Sequence, residues 1–285
     1  MKAKAKAKEA ARGSGSNLRD MGSIMAVLMP SLPPKRYDEI DVYNACVKDN
    51  HEELEKMIKQ LPRLDVNWAT PDTGGTAAKV AAQKGHDRCL SLLSKVRGVD
   101  LSKANKAGWA PIHAACQNGR HVCIDIILDN GVDANLRTTD EIGYTPAIIC
   151  CMNGHVKSLA ILCDRGADLN LANKNGCTAA HYACSDGYVK CLQLLGKRGA
   201  DLSKQSVDGQ TPLDYARRCK QAECIDLLLA NGAIGMSVED LRPVPEAEKV
   251  CIYMAASLSA LSEAVSVFSR LTLSRVIINH FTERE

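Results

Sequence analysis

Residues 109–116, Trp109-Ala110-Pro111-Ile112-His113-Ala114-Ala115-Cys116, contain the pattern on which most of this chain is built. A small residue followed by proline suits the start of a helix, because the first helical position needs no backbone N–H. The paired alanines leave room for a neighbouring helix to approach closely. Gly119 can then adopt the left-handed conformation that ends a helix. These residues predict a short helix in a closely stacked array.

The same pattern occurs in four other segments, at 75–82, 144–151, 177–184 and 210–217. The residues that correspond to Ala110 are Thr76, Thr145, Thr178 and Thr211. Successive copies are therefore 34, 35, 33 and 33 residues apart. A glycine follows nine residues after this position in every copy except the last, which has Lys220. Features that recur in phase at this period indicate a solenoid of stacked repeats.

The repeated segments resemble the Thr-Pro-Leu-His-x-Ala signature of ankyrin repeats. A second helix with apolar residues at helical spacing follows the first, as at Cys123, Ile124 and Ile127. A turn of the Gly-Ala-Asp type then leads into the next copy. The resemblance implies an all-α solenoid of stacked helix-turn-helix units with projecting β-hairpin-like fingers.

The repeat period divides the chain into three parts. Residues 37–236 are predicted to form six repeats, with bounds at 37–74, 75–108, 109–143, 144–176, 177–209 and 210–236. Residues 1–36 hold eight Lys and Arg against two acids, a charge of +6, and are predicted to be a flexible basic tail. Residues 237–285 are predicted to be a C-terminal helical extension. The chain beyond residue 36 has a net charge of −3, which argues against nucleic acid as a partner.

The thirteen cysteines fit packing better than a disulfide framework. One position of the inner helix holds Cys46, Cys116, Cys151 and Cys184, and one inward position of the outer helix holds Cys89, Cys123, Cys191 and Cys224. With Cys150 and Cys163, these are predicted to be small buried hydrophobes. No secretory leader or apolar run of membrane-spanning length stands out. We therefore expect a reducing cytoplasmic or nuclear location and no membrane insertion.

Two His-x-x-Cys pairs, His113 with Cys116 and His181 with Cys184, have plausible metal-ligand spacing. The resemblance instead implies that both histidines make local hydrogen bonds that stabilise the turn. A P-loop and a Gly-x-Ser-x-Gly elbow are both absent from the sequence. We expect no metal, no cofactor and no catalysis. A metal- or thiol-dependent enzyme is the remote alternative, with Cys177 and Cys219 as exposed, reactive thiols.

The resemblance implies that another protein binds to the concave side and the finger tips. Trp109 and Tyr144 occupy the same phase in neighbouring repeats, so they are expected to stand side by side as an exposed patch with Ile142 and Met152. Packing of Trp109 on the adjacent finger is the alternative. The predicted surface comprises Lys106, Trp109, Gln117, Asn118, Glu141, Ile142, Tyr144, Met152, Asn153, Lys174, Asn175, Ser185, Asp186, Asp208, Gln210 and Arg218. The finger around Asp140 is predicted to be one or two residues longer than its neighbours.

The C-terminal extension has an apolar stripe at helical spacing, formed by Val250, Met254, Leu258, Leu261, Val265 and Phe268. The stripe could cap the array, mediate self-association or dock into a partner. Residues 272–277 loosely resemble the box with which some ankyrin proteins recruit a ubiquitin ligase, although Ile277 stands where a cysteine is expected. A stand-alone scaffold is the favoured function, and a substrate adaptor of a ubiquitin ligase is the alternative.

Overall fold

The computed structural model describes residues 37–60 and 65–235, and within them the chain forms twelve helices. The helices are α1 Glu39–Val47, α2 His51–Gln60, α3 Ala77–Lys84, α4 Asp87–Ser94, α5 Pro111–Gln117, α6 His121–Asp129, α7 Pro146–Met152, α8 Val156–Asp164, α9 Ala179–Asp186, α10 Val189–Lys197, α11 Pro212–Arg218 and α12 Ala222–Ala230. Odd-numbered helices are the inner helices and even-numbered helices the outer ones. Each of the six predicted repeats contains one such pair. The predicted all-α solenoid is confirmed.

The inner helices begin as the repeated residues dictate. The side chains of Thr76 and Thr145 accept hydrogen bonds from backbone N–H groups three residues later, which satisfies one of the free donors of each first turn. Pro111, Pro146 and Pro212 occupy the first helical position, where a missing N–H costs nothing. The start of each inner helix is therefore fixed by a few local residues.

Each inner helix is followed by a residue with a positive φ angle. Four repeats use glycine there, but Asp49 follows α1 with φ 58° and Lys220 follows α11 with φ 57°. Asp49 and Lys220 lie in the first and last repeats, whose sequences depart most from the pattern. The left-handed backbone is thus kept in all six repeats, at a cost of roughly 1 kcal/mol where a side chain is present.

The core lies between the two layers of helices. Each inner helix packs against the next inner helix, and each outer helix against the next outer helix. One position of the outer helix supplies a fully buried aliphatic residue to five successive repeats: Leu93, Ile127, Leu162, Leu195 and Leu228. The inner helices contribute small residues such as Ala81, Ala115 and Ala183, which allow the close approach. Stability therefore arises between neighbouring repeats.

The fingers between the repeats contain no regular strand within residues 37–60 and 65–235. An isolated antiparallel bridge joins Ala69 to Thr76, and the fingers are otherwise turns. Among the described residues, no helix has the length and apolar content to cross a bilayer. The predicted basic tail, the Val250–Phe268 stripe and the segment 272–277 lie outside the described residues.

Candidate partner-binding surface

The finger tips form a continuous row because backbone hydrogen bonds join each finger to the next one. The donors are the N–H groups of Lys106, Thr139, Lys174 and Val207, and the acceptors are the carbonyls of Thr73, Gly108, Ile142 and Asn175, each at 3.0 Å. These bonds fix the spacing of the tips along the array. A surface held in this way loses little conformational freedom when a partner binds.

The finger around Asp140 is longer than its neighbours, as predicted. The hydrogen bond that closes it runs from the Thr138 N–H to the Tyr144 carbonyl, six residues apart, whereas Asn105 and Trp109 close the preceding finger over four. One carboxylate oxygen of Asp140 accepts from the N–H of Ile142 at 3.1 Å and from that of Gly143 at 2.7 Å. The additional residues therefore form an ordered turn.

His113 and His181 make the local hydrogen bonds that the resemblance implied. Nδ1 of His113 accepts the Ala110 N–H at 3.0 Å, and Nε2 lies 2.7 Å from the Leu136 carbonyl. Nδ1 of His181 accepts the Thr178 N–H at 3.0 Å, and its Nε2 bonds to the carbonyl of the next finger. Burial lowers the pKa of both imidazoles to about 4. Each ring is a neutral bridge between an inner helix and the following finger.

The positions of the cysteines confirm all but one of the packing assignments and correct the predicted exposure of Cys177. Nine of the ten cysteines assigned to packing are buried, but Cys163 is half-buried because it lies near the exposed end of α8. Cys177 was predicted to be exposed and is buried, with Sγ 3.1 Å from the Tyr215 hydroxyl. Cys219 is half-buried. Within residues 37–60 and 65–235, no group of three His, Cys, Asp or Glu residues is placed to bind a metal ion.

The predicted exposure of Tyr144 is wrong. Its side chain is 5% exposed, and its ring meets that of Tyr182 edge to face with 5.9 Å between the centroids. Gln210 is also buried, and its side chain accepts a hydrogen bond from Arg218 at 3.0 Å. Trp109 and Tyr144 therefore do not form an exposed aromatic pair.

The rest of the predicted surface is accessible to solvent. Trp109 is half-buried, with its ring edge to face against His113 at 6.1 Å, and Ile142 and Met152 are half-buried too. The exposed members are Lys106, Asn118, Glu141, Lys174, Asn175 and Asp208, and the other half-buried ones are Gln117, Asn153, Ser185, Asp186 and Arg218. Trp109, Ile142 and Met152 are thus the accessible apolar members of the predicted surface, and its other accessible members are polar or charged.

The match to known protein families covers the helical array. The family described as "Ankyrin repeats (3 copies)" matches residues 42–140, 79–173, 123–206 and 170–240. The chain belongs to the ankyrin-repeat family. These overlapping matches extend over more than half of the sequence and include all the helices from α2 onward.

Several proteins of this family are similar to the chain. The ankyrin-repeat domain of human ASB11 superimposes with a TM-score of 0.63 at 24% identity, covering 76% of this chain and 96% of that domain. An ankyrin-repeat domain from Acinetobacter baumannii AYE gives 0.61 at 27% identity, covering 69% and 100%. Protein phosphatase 1 regulatory subunit 12A of Mus musculus is 41% identical over 61 residues, 21% of this chain. The chain spans 6% of that relative's length.

The ankyrin array also contains a buried polar cluster that the sequence did not reveal. Asn173 donates to the Tyr182 hydroxyl at 2.9 Å, and Tyr215 lies beneath the guanidinium of Arg218, which is 4.6 Å from the ring centroid. Burial raises the pKa of both tyrosines. Arg218 is consequently held in place at the end of α11 in the last repeat. The sequence signal that could have revealed this cluster is the pair Tyr182 and Tyr215, which occupy equivalent positions in neighbouring repeats.

Asp186 is the predicted surface residue with the most perturbed titration. Its carboxyl lies at the last position of α9, and partial burial raises its pKa to about 6 from the ordinary 3.8. The folded protein therefore binds the Asp186 proton more tightly than the unfolded chain does. An ionised Asp186 lowers stability at neutral pH, and this loss disappears as the pH falls through 6 towards 3.8.

Asp186→Asn is expected to raise the free energy of unfolding by about 1 kcal/mol at pH 7, because an amide carries no charge to bury. Urea denaturation at pH 7 and at pH 3.5 measures the effect, and the gain should vanish at the lower pH. Asp208→Asn, at an exposed finger position, is the control and should change little. A gain of equal size at both pH values would contradict the assignment.

Proposed function

We propose that this ankyrin array is a non-catalytic scaffold that binds another protein along its concave side and finger tips. The observation that supports the proposal most directly is that Trp109, Ile142 and Met152 are accessible to solvent in repeats whose fingers are joined by backbone hydrogen bonds. Large apolar residues surrounded by polar ones are typical of the energetic centre of an interface. The partner would place its own apolar side chains here.

The charges around this group favour a protein partner with mixed polarity. Lys106, Glu141 and Lys174 are exposed on successive fingers and alternate in sign. Lys106 also donates to the Pro71 carbonyl at 2.5 Å, and Lys174 to the Asp140 carbonyl at 3.2 Å, so both ammonium groups are positioned by the preceding finger. Alternating fixed charges contribute to specificity and to register more than to affinity.

Trp109→Ala is expected to weaken partner binding by about 1 kcal/mol or more, roughly a fivefold loss of affinity. The test begins with affinity capture on the full chain and continues with titration of the captured protein against wild type and variants. Val122→Ala is the matched control, since Val122 is an exposed apolar residue on the outer helix of the same repeat. The midpoint of thermal unfolding shows whether each variant is folded.

A folded Trp109→Ala variant that binds with wild-type affinity would overturn the proposed surface. An equal loss in Trp109→Ala and Val122→Ala would also contradict it, because the two side chains lie on different helical layers. The expected outcome is loss in the first variant and none in the second.

The role as a substrate adaptor of a ubiquitin ligase stays a prediction from residues 272–277. Similarity to the human ASB11 domain, at 24% identity, supports the fold. A pull-down with the full chain that recovers elongin or cullin would favour the adaptor, and recovery of neither would favour the stand-alone scaffold.

A further inference from the structure

At three boundaries, a buried thiol on the inner helix of one repeat meets a buried thiol on the outer helix of the next repeat. The pairs in hydrogen-bonding contact are Cys46 with Cys89, Cys151 with Cys191, and Cys184 with Cys224. The first member of each pair lies on an inner helix, and the second lies on the outer helix of the next repeat. All six side chains have 0% exposure. Repeat phase had explained each cysteine separately, but it had not placed them in contact.

The repeat geometry explains why the same contact recurs. Sγ of Cys123 donates to the Asp87 carboxylate at 2.9 Å and lies 4.0 Å from the Ala81 carbonyl, both in the preceding repeat. Sγ of Cys224 lies 4.0 Å from the corresponding Ala183 carbonyl. Each outer-helix residue at this position therefore faces the inner helix of the repeat before it. A thiol pair results wherever both positions are cysteine.

Two boundaries among the described repeats keep the geometry but lack one thiol. Ala82 occupies the inner position at the boundary of Cys123, and Ser158 occupies the outer position at the boundary of Cys116. The Ser158 hydroxyl is buried and makes no hydrogen bond among the described residues. At the second of these boundaries Cys116 contacts Cys150 of the next inner helix instead. The Ala82–Cys123 boundary therefore supplies the internal control, because position alone should not produce cross-linking without a second cysteine.

We propose that the three thiol pairs are a modification site, at which a small-molecule disulfide such as oxidised glutathione closes covalent links between neighbouring repeats. The thiolate of one cysteine attacks the small disulfide, which gives a mixed disulfide and releases one thiolate of the reagent. The second cysteine loses its proton and attacks the mixed disulfide, which releases the other reagent thiolate. The two cysteine protons pass to these thiolates, so one disulfide forms in the protein and one is reduced.

The environment of each pair sets which sulfur reacts first and how fast. Hydrogen bonds from Cys151 and Cys184 lower the pKa of the Cys191 and Cys224 thiols, so the outer-helix sulfurs are favoured as the attacking thiolates. Complete burial requires a local opening before the reagent can enter. Terminal repeats open most easily in a solenoid. The Cys184–Cys224 pair, at the last repeat, should therefore react before the internal Cys151–Cys191 pair.

A disulfide at these positions would join repeats that otherwise open independently. Each link closes a loop of about 40 residues, which restricts the unfolded chain and raises the midpoint of thermal unfolding. The concave surface would then be held in a single relative arrangement of repeats. This inference does not depend on the identity of the partner or on the proposed function.

The test treats the purified full chain with oxidised glutathione under native conditions and then blocks the remaining thiols. Protease digestion without reductant and mass spectrometry identify the linked peptides. The expected products are the Cys46–Cys89, Cys151–Cys191 and Cys184–Cys224 links, with a rise in the unfolding midpoint that reductant reverses. A Cys116–Cys150 link is also compatible with the structure, because those two thiols are in contact. Links between any other cysteines, or mixed disulfides that never resolve into internal links, would overturn the proposal.

Two variants make the assignment specific. Cys184→Ala should lose the Cys184–Cys224 link and keep the others, and it should fold because Ala82 occupies this position in another repeat. Ala82→Cys should create a fourth link to Cys123 under the same oxidation. A folded Ala82→Cys protein that forms no such link would contradict the repeat geometry on which the proposal rests.

Discussion

His181→Ala is expected to lower the free energy of unfolding by about 3 kcal/mol at pH 7. The imidazole is fully buried, and its removal leaves the Thr178 N–H without the acceptor that it has at 3.0 Å. The Gln210 carbonyl loses its bond to His181 at 3.1 Å and keeps the one from the Ser206 N–H at 2.8 Å. The substitution also leaves a cavity beside Tyr215, whose ring centroid lies 5.1 Å from that of His181. The unsatisfied buried N–H costs roughly 1 to 3 kcal/mol, and the lost bond to Gln210 and the cavity account for the rest of the expected loss.

Urea denaturation of the His181→Ala protein measures this loss, and His121→Ala is its control. His121 is exposed at the first position of α6, so truncation there should change stability by less than about 0.5 kcal/mol. Similar losses in both variants would contradict the bridging role. The comparison separates the buried hydrogen bonds from any general effect of removing an imidazole.

The pH dependence of the loss provides a second check. Burial lowers the pKa of His181 to about 4 from the ordinary 6.5, so the folded protein disfavours the protonated ring. The stabilisation is fully present above pH 6.5 and is lost as the pH falls towards 4. The difference between wild type and His181→Ala should therefore shrink over this range. A difference that stays constant from pH 7 to pH 4 would show that His181 does not remain neutral in the folded protein.

The fold could be predicted because its determinants are local. Threonine caps, prolines at the first helical position and the histidine bridge all lie within a few residues of one another, as in Thr178 and His181. The role of each residue in such a short motif can be inferred from its neighbours in the sequence. The period at which the motif recurs then predicts that the repeats stack. The extra length of the finger around Asp140 could be predicted for the same reason.

The exposure of site residues could not be predicted in this way, because it depends on contacts between repeats. Tyr144 is covered by Tyr182, which lies 38 residues later in the chain and has Ile149 as its counterpart in the preceding repeat. Cys177 is covered by Tyr215, also 38 residues away. The repeat phase shows which residues occupy equivalent positions in different repeats. The size of the side chain that packs against such a position decides whether the residue there is exposed to solvent. The thiol pairs were missed for the same reason.

Gly154→Ala is expected to lower the free energy of unfolding by about 3 kcal/mol, for two separable reasons. Gly154 has φ 68°, where an alanine side chain is strained by roughly 1 to 2 kcal/mol. An added Cβ would also lie 2.5 Å from ring atoms of Tyr188, the residue before α10 in the next repeat. The methyl group would therefore push neighbouring repeats apart as well as strain the turn.

Gly131→Ala isolates the first contribution. Its φ is 82°, but an added Cβ meets nothing within 4 Å, so the variant should show the backbone strain alone, about 1 kcal/mol. In a Tyr188→Ala background, Gly154→Ala should cost no more than Gly131→Ala does, because the opposing ring is gone. Chemical denaturation of wild type, Gly154→Ala, Tyr188→Ala and the double variant forms a double-mutant cycle that measures the contact between positions 154 and 188. An equal cost for Gly154→Ala in both backgrounds would show that the ring moves aside freely.

The proposed partner surface gives the Gly154 contact a second test, because Met152 and Asn153 immediately precede the glycine and belong to that surface. If Tyr188 fixes the approach of the next repeat, Gly154→Ala should weaken partner binding even in conditions where the variant is fully folded. The Tyr188→Ala background should restore the affinity lost by Gly154→Ala, since it removes the clash and leaves Met152 in place. If the affinity recovers in the Tyr188→Ala background, the loss is caused by the changed arrangement of the repeats. If binding stays weak, the loss is caused by the strained turn at position 154.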